Sequence, residues 1–156
     1  ISFSGGGTQE DAKRVAPELP EKYPEGTMFG TLPSYGLFCR HVKGLTLRNV
    51  QFRNESDDLR PALMCEDVTG LDIDGFEAWA SPSANSVIHL REVRQAMVRG
   101  CVARCSKGPF LCIDDGCENI SAIGNDFSQT SKPFVFTRRE LRSELFADAN
   151  RPHKNR

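Results

Sequence analysis

Apolar residues recur at nearly constant intervals over residues 36–127, and the unit Gly36–Phe52 shows the pattern most clearly. One apolar position marks the interval in each of four units: Leu45, Leu71, Ala96 and Ile120. The three spacings are 26, 25 and 24 residues, and the fourth unit needs one extra residue between Ile113 and Cys117. A repeat of this length is typical of a solenoid, in which each unit buries its apolar face against the next.

Six further apolar columns align in the same register. They are Leu37/Leu63/Ile88/Leu111, Cys39/Cys65/Leu90/Ile113, Val42/Val68/Val93/Cys117, Leu47/Ile73/Val98/Ala122, Val50/Phe76/Cys101/Asn125 and Phe52/Ala78/Ala103/Phe127. Within a unit the apolar positions alternate with polar ones, as in Leu45-Thr-Leu47, which is the period of a strand with one buried side. The repeat therefore predicts an all-β chain of stacked strands.

One column identifies the kind of solenoid, because it holds only residues that tolerate a left-handed backbone. It reads Asn49/Gly75/Gly100/Gly124. Asn and Gly in every unit indicate a sharp bend between two strands. This favours a parallel β-helix over the alternative of a mixed β-sandwich, which gives no reason for such a column.

Charged residues fill the outward columns in alternating sign. These are Arg40/Glu66/Arg91/Asp114 and Arg48/Asp74/Arg99, and beside the first lies Phe38/Met64/His89/Cys112. Opposite charges about 5 Å apart on neighbouring strands contribute roughly 0.2–1 kcal/mol each. We interpret both ladders as solvated faces that help to fix the register.

Outside the repeat the pattern changes three times. Residues 9–35 form an inserted loop with four prolines, in which one or two helical turns at most are expected over 10–16. The strand Phe134–Phe136 begins a fifth coil that is not completed. A capping helix is predicted over 137–149, because Thr137 and Glu140 have the capping-box spacing and residues 141, 145 and 146 are apolar on one helical face. The domain plan is thus coils over 1–136, this helix, and a disordered basic tail over 150–156.

Composition excludes some functions. The chain has 156 residues, 26% charged, with a formal net charge of −1, so no basic field argues for nucleic acid and no apolar run is long enough to span a membrane. Four of the six cysteines lie in core columns, where they act as small apolar residues, although Cys39 and Cys65 would be close enough on adjacent coils to form a disulfide. We expect no metal or cofactor.

Acidic pairs and histidines are the candidates for catalysis, and each has a simpler interpretation. Asp57-Asp58 and Asp114-Asp115 suit turns, because Asp and Gly are common there. His41 is expected in a turn and His89 as a packed outward residue, with no Ser or Cys nucleophile placed beside it. Trp79, Phe29 and the two tyrosines are possible platforms for stacking on sugars.

The N-terminal segment resembles the C-terminal part of bacterial polygalacturonase-like proteins of glycoside hydrolase family 28. The residues that carry the resemblance are Ile1–Thr8, Glu10–Ala12, Pro17–Pro20, Tyr23–Glu25, Met28–Gly30 and Leu32–Val42. The resemblance extends over about residues 1–130 and is most specific in the loop that leads into the first coil. It implies a right-handed, pectin-lyase-like parallel β-helix of about four coils with a short C-terminal capping helix.

The resemblance also implies a function that this chain cannot perform alone. Full-length relatives hydrolyse pectic, galacturonide-type polysaccharide with inversion and without a metal. They act in the extracellular space or in the periplasm. The family signatures Asn-x-Asp, Gly-Asp-Asp, Gly-His-Gly and Arg-x-Lys do not occur here, so no catalytic residue is assigned and further coils are expected upstream of Ile1. The family's substrate-contacting tyrosine corresponds to Tyr23, with Tyr35 as the second choice. The alternative function is a non-catalytic β-helix module that binds carbohydrate or has a structural role.

Overall fold

The repeat builds a parallel β-solenoid in the computed structural model, which describes residues 1–23, 25–104 and 108–153. Each of the first three coils has one long and one short strand, and the fourth has its long strand in two parts. In chain order the strands are β1 (Ser2–Phe3), β2 (Leu37–Arg48), β3 (Gln51–Asn54), β4 (Leu63–Asp74), β5 (Glu77–Trp79), β6 (Ile88–Arg99), β7 (Val102–Arg104), β8 (Leu111–Ile113), β9 (Glu118–Ile123), β10 (Phe134–Phe136) and β11 (Leu145–Asp148).

The predicted register is confirmed residue by residue along the long strands. Leu45 pairs with Leu71, Leu71 with Ala96, and Ala96 with Ile120. All these pairs are parallel and join successive coils, so the sandwich alternative is wrong. The extra residue of the fourth coil lies in the turn between β8 and β9, where it divides what is one strand in the other coils.

Bends in the left-handed region define the cross-section of the solenoid. The predicted corner column is confirmed, with φ of 53° at Asn49 and 60–68° at its three glycines. Two more columns of this kind bend the long strands and were not predicted: His41/Asp67/Glu92/Gly116 and Gly44/Gly70/Gln95/Asn119. Each coil therefore has three straight segments, and we call the outer surface of segments 37–40, 63–66, 88–91, 111–114 and 134–136 face A.

Inward side chains stack along the axis as an apolar core. Rings of Phe3, Phe52 and Phe76 pack edge to face in one row, with centroids 5.4 and 5.5 Å apart. The cysteines in core columns are free thiols, and Cys39 and Cys65 are direct neighbours in the register. Of the other two cysteines, Cys112 in the outward column is also a free thiol, and Cys105 lies outside the described residues.

Asn125 is the polar exception in this core. It occupies a column that is otherwise apolar, and it is buried. Its Oδ1 accepts a hydrogen bond from Cys101 N–H at 2.9 Å, and its Nδ2 donates to Val98 O and to Asn150 Oδ1. Two stacked asparagines thus form hydrogen bonds to backbone groups of the preceding coil, Asn125 to the third coil and Asn150 to the fourth.

The inserted loop over 9–35 matches its prediction, because its described residues contain one 3-10 helix, at Asp11–Lys13. The other described residues of the loop form turns and irregular chain. The C-terminal prediction differs from the structure, since residues 137–149 form a 3-10 helix at Arg139–Glu144 followed by β11. No side chain caps this short helix at its start.

The fifth coil is more complete than the sequence suggests. β11 pairs with β9 in parallel, and Leu145 and Ala147 continue the columns of Ile120 and Ala122. Of these two, Leu145 is partly buried and Ala147 is exposed. The predicted disordered tail is also partly ordered, since Arg151 forms a bridge with Asp126. Residues 154–156 of that tail lie outside the described residues.

Candidate functional site

Face A carries a small cavity at the first coil, where the inserted loop folds over β2. The cavity has a volume of about 330 Å³. Its walls are mainly apolar, from the loop and from β2, and its rim is charged. The wall residues are Phe29, Leu32 and Phe38, and the rim residues are Glu18, Arg40 and His41. Apolar walls with a few converging polar groups are the usual composition of a small-molecule site.

Arg40 joins the loop to the strand. Its Nη2 donates to Ala16 O at 2.7 Å, and its Nη1 is paired with Glu18 Oε1. The guanidinium lies over the Phe38 ring, 5.1 Å from the centroid, and the side chain is only 11% exposed. Its Nε is enclosed and has no hydrogen-bond partner among the described residues. Arg40 is therefore a nearly buried cation held on two sides.

His41 completes the rim between two carboxylates. Its Nε2 lies 3.0 Å from Glu18 Oε1 and its Nδ1 lies 2.7 Å from Asp67 Oδ2. The pKa of His41 is raised mainly by its hydrogen bond to Asp67 and, to a smaller extent, by its hydrogen bond to Glu18. The pKa of Glu18 is lowered by its hydrogen bonds with His41 and Arg40. The bend at His41, with φ of 56°, directs this side chain to the loop rather than along the strand. The arrangement holds one carboxylate oxygen of Glu18 between the Arg40 guanidinium and the His41 ring.

A second polar cluster lies on face A at the third and fourth coils. Asp114 Oδ2 lies 3.1 Å from His89 Nε2 and accepts a hydrogen bond from Arg91 Nε at 2.9 Å. The hydrogen bond with His89 has the largest effect on the pKa of Asp114, and a hydrogen bond from Thr137 acts in the same direction. Together these contacts hold the pKa of Asp114 well below its usual range, although partial burial raises it. Asp115 is paired with Arg138 at 2.7 Å. Asp114 is thus fixed as an anion, which is the wrong state for a general acid.

No Ser or Cys nucleophile was predicted beside His89, yet a cysteine lies there. Cys112 Sγ is 4.0 Å from His89 Nε2, because the two residues are neighbours in the same outward column. Burial raises the pKa of the Cys112 thiol to about 12, so that the thiol stays protonated at neutral pH. The pair has the residue types of a Cys–His nucleophile but lacks the thiolate.

Asp58, from the other acidic pair, has a structural role. Its carboxylate is fully buried and accepts hydrogen bonds from Gly7 N–H and from the backbone N–H, Nε and Nη2 of Arg60, at 2.7–3.0 Å. Burial alone raises the pKa of Asp58, but the hydrogen bonds from Arg60 and Gly7 outweigh it and hold the pKa below its usual value. Arg60 Nη1 also donates to Leu32 O, so the pair fastens the loop to the solenoid. Asp57 is exposed.

The two tyrosines predicted to bind substrate lie in different environments. Tyr35 is 7% exposed, packs edge-on against Phe3, and donates its hydroxyl proton to Trp79 O at 2.6 Å. Tyr23 is 85% exposed in the inserted loop. The structure therefore leaves Tyr23 accessible to a ligand but encloses Tyr35. The ring of Trp79 has two guanidinium groups over it, with Arg53 at 4.9 Å and Arg104 at 5.9 Å from its centroid, and these come from the strands on either side.

The cavity rim was not predicted from the sequence. Glu18 and Arg40 are 22 residues apart and belong to no shared repeat, so only the path of the loop brings them together. Among the residues that the structure describes, no group of three His, Cys, Asp or Glu side chains is arranged to hold a metal ion. No helix in the same part of the chain is long and apolar enough to cross a membrane.

Comparisons of this chain with protein-family models, with curated proteins and with solved structures returned no match.

Proposed function

We propose that this chain is the C-terminal portion of a polygalacturonase-like glycoside hydrolase and that this portion lacks the catalytic acids. The full-length protein acts on pectic polysaccharide by inverting hydrolysis, in the extracellular space or the periplasm, with the acids on upstream coils. The parallel β-solenoid and the residues of the inserted loop that resemble that family support the proposal.

Three of the four aspartates in the acidic pairs are held by donors from the protein, and this observation carries the proposal that the catalytic acids are absent here. An inverting glycosidase needs a carboxylic acid of raised pKa and a second carboxylate, about 6.5–9.5 Å apart across the scissile bond. Here Asp58 and Asp114 have lowered pKa values, and Asp115 is tied to Arg138. These carboxylates serve the packing of loops and coils, so none of the three is poised to protonate a leaving group.

Reducing-end release from polygalacturonate tests this proposal. The purified chain should release none above the level of a heat-unfolded sample. If it releases reducing ends, and Asp114→Asn or Asp115→Asn abolishes the release, the proposal is wrong, because a catalytic acid then lies within this chain.

A second candidate, a non-catalytic β-helix module that binds polysaccharide, is favoured by the cavity on face A. Its aromatic walls and charged rim are suited to a sugar, whose ring has both apolar and hydroxyl-bearing surfaces. Affinity electrophoresis through gels that contain pectin or a neutral galactan tests it. Selective retardation in pectin supports binding by the isolated chain, and equal mobility in both gels contradicts it.

A further inference from the structure

We propose that Arg40 and His41 form a carboxylate-binding site that Glu18 occupies in the free chain, and that a uronate carboxylate of the pectic ligand displaces Glu18. The inference rests on the proposed pectic ligand, and it adds a location and a competing group within the chain. The inserted loop then acts as an internal competitor for the ligand.

Convergence of two donors on one oxygen is the first argument. Glu18 Oε1 is shared by Arg40 Nη1 and by His41 Nε2, the latter at 3.0 Å. The two donors come from adjacent residues of β2, and the second of them, His41, is the bend residue itself. Hydrogen bonds between ionised partners are shorter and stronger than neutral ones, so this geometry is selective for an anionic oxygen.

The second argument is an asymmetry between Arg40 and the carboxylate that it binds. Arg40 is nearly buried and fixed by Ala16 O and the Phe38 ring, whereas His41 is 59% exposed and is held by Asp67. Glu18 is 63% exposed, so the side chain can swing into solvent without uncovering the core. An exposed ion pair contributes little to stability, and exchange of one carboxylate for another leaves both donors paired. The site can therefore change its occupant at low cost.

The third argument concerns the rest of the ligand. The cavity behind the rim presents Phe29, Leu32 and Phe38, and Phe29 is partly exposed to solvent. A small inorganic anion has no apolar surface to pack against these side chains, whereas the C–H face of a pyranose ring packs on an aromatic side chain. A sugar ring that carries its own carboxylate satisfies the wall and the rim together, and a uronate residue is such a ring.

Calorimetric titration with trigalacturonate tests the proposal on the full chain, with a neutral galactose trimer as the matched ligand. Glu18→Gln removes the competing charge, and Arg40→Gln removes the fixed donor. Glu21→Gln is the control, because Glu21 is an exposed glutamate of the same loop that forms no ion pair among the described residues. We expect Glu18→Gln to bind trigalacturonate about fivefold more tightly, because an exposed ion pair is weak and its loss frees both donors for the ligand.

Glu21→Gln should bind trigalacturonate with unchanged affinity, and Arg40→Gln should bind it at least about tenfold more weakly. The wild-type chain should bind the neutral trimer at least about tenfold more weakly than trigalacturonate. Equal tightening by Glu18→Gln and Glu21→Gln overturns the proposal, because net charge then explains the gain. Comparable binding of the neutral trimer, or no binding of trigalacturonate by any variant, also overturns it. If Arg40→Gln does not fold, as judged by circular dichroism, the two glutamate variants still decide. The reducing-end assay stands apart, since it does not depend on this site.

Discussion

Replacing Asp58 with asparagine should destabilise the fold by about 3–5 kcal/mol, the usual cost of removing one partner from a buried ion pair. The magnitude follows from the contacts. The carboxylate is 0% exposed and accepts four N–H groups, three of them from Arg60. An asparagine can accept at one oxygen only, and its amide group then faces N–H donors, so at least one buried donor and the Arg60 charge lose their partner.

Urea unfolding measures this loss, followed by the fluorescence of Trp79, the single tryptophan of the chain. Asp57→Asn is the matched control, because it removes the same charge from the adjacent, exposed position, and we expect a change within about 0.5 kcal/mol. The reasoning is refuted if the two variants are equally stable. A double-mutant cycle with Arg60→Met isolates the coupling between the two side chains.

The pH dependence of the same difference provides a second check. The pKa of Asp58 is lowered in the folded chain, so its contribution is fully present above the unfolded value of about 3.9 and is lost as pH falls through the folded value. The stability gap between wild type and Asp58→Asn should therefore stay constant from pH 7 to about 5. It should close in acid. A gap that widens as pH falls contradicts the assigned role.

Three further predictions concern the core and the turns. Asn125→Leu should cost about 3 kcal/mol in urea unfolding, because it leaves buried backbone groups of the neighbouring coil unpaired; no loss contradicts this. Oxidised glutathione should link Cys39 to Cys65, detected by peptide mass mapping, and raise stability by up to about 3 kcal/mol, since these thiols are neighbours and a hydrogen bond from Cys65 lowers the pKa of Cys39; an unlinked pair after full oxidation contradicts it. Gly36→Ala should cost about 1–3 kcal/mol, because an ideal Cβ there lies 2.5 Å from a buried aromatic ring, whereas Gly26→Ala, which meets no atom within 4 Å, should be neutral or slightly stabilising.

The register of the solenoid could be predicted because each coil repeats the same physical requirement. A shift by one residue turns every inward side chain outward, so Leu45, Leu71, Ala96 and Ile120 can align in one way only. The corner at Asn49 was predictable for the same reason, since its column contains only residues that tolerate a left-handed backbone.

Other bends carried a weaker signal. The column Gly44/Gly70/Gln95/Asn119 could have been found in the same way as Asn49, whereas His41, Asp67 and Glu92, with φ values of 49–56°, are three different residue types, of which only His and Asp are enriched in the left-handed region. The stacking of adjacent coils imposes the bend on them, at the usual cost of a non-glycine residue in that region. The paired asparagines at positions 125 and 150 could have been found, since a polar residue repeats at the coil spacing inside an apolar column.

The charged side chains of face A show why the candidate site was not predictable from the repeat. In-register stacking places Arg40 beside Glu66, yet among the described residues Arg40 pairs with Glu18 of the inserted loop instead. Arg91, by contrast, pairs with Asp114, its neighbour in the charge ladder that the sequence predicts. At Arg40 a segment that breaks the repeat brings a carboxylate close to an arginine that the repeat supplies. A solenoid of identical coils offers every charge the same neighbours, so selective contacts arise where the periodicity fails, and it is there that ligand recognition is expected.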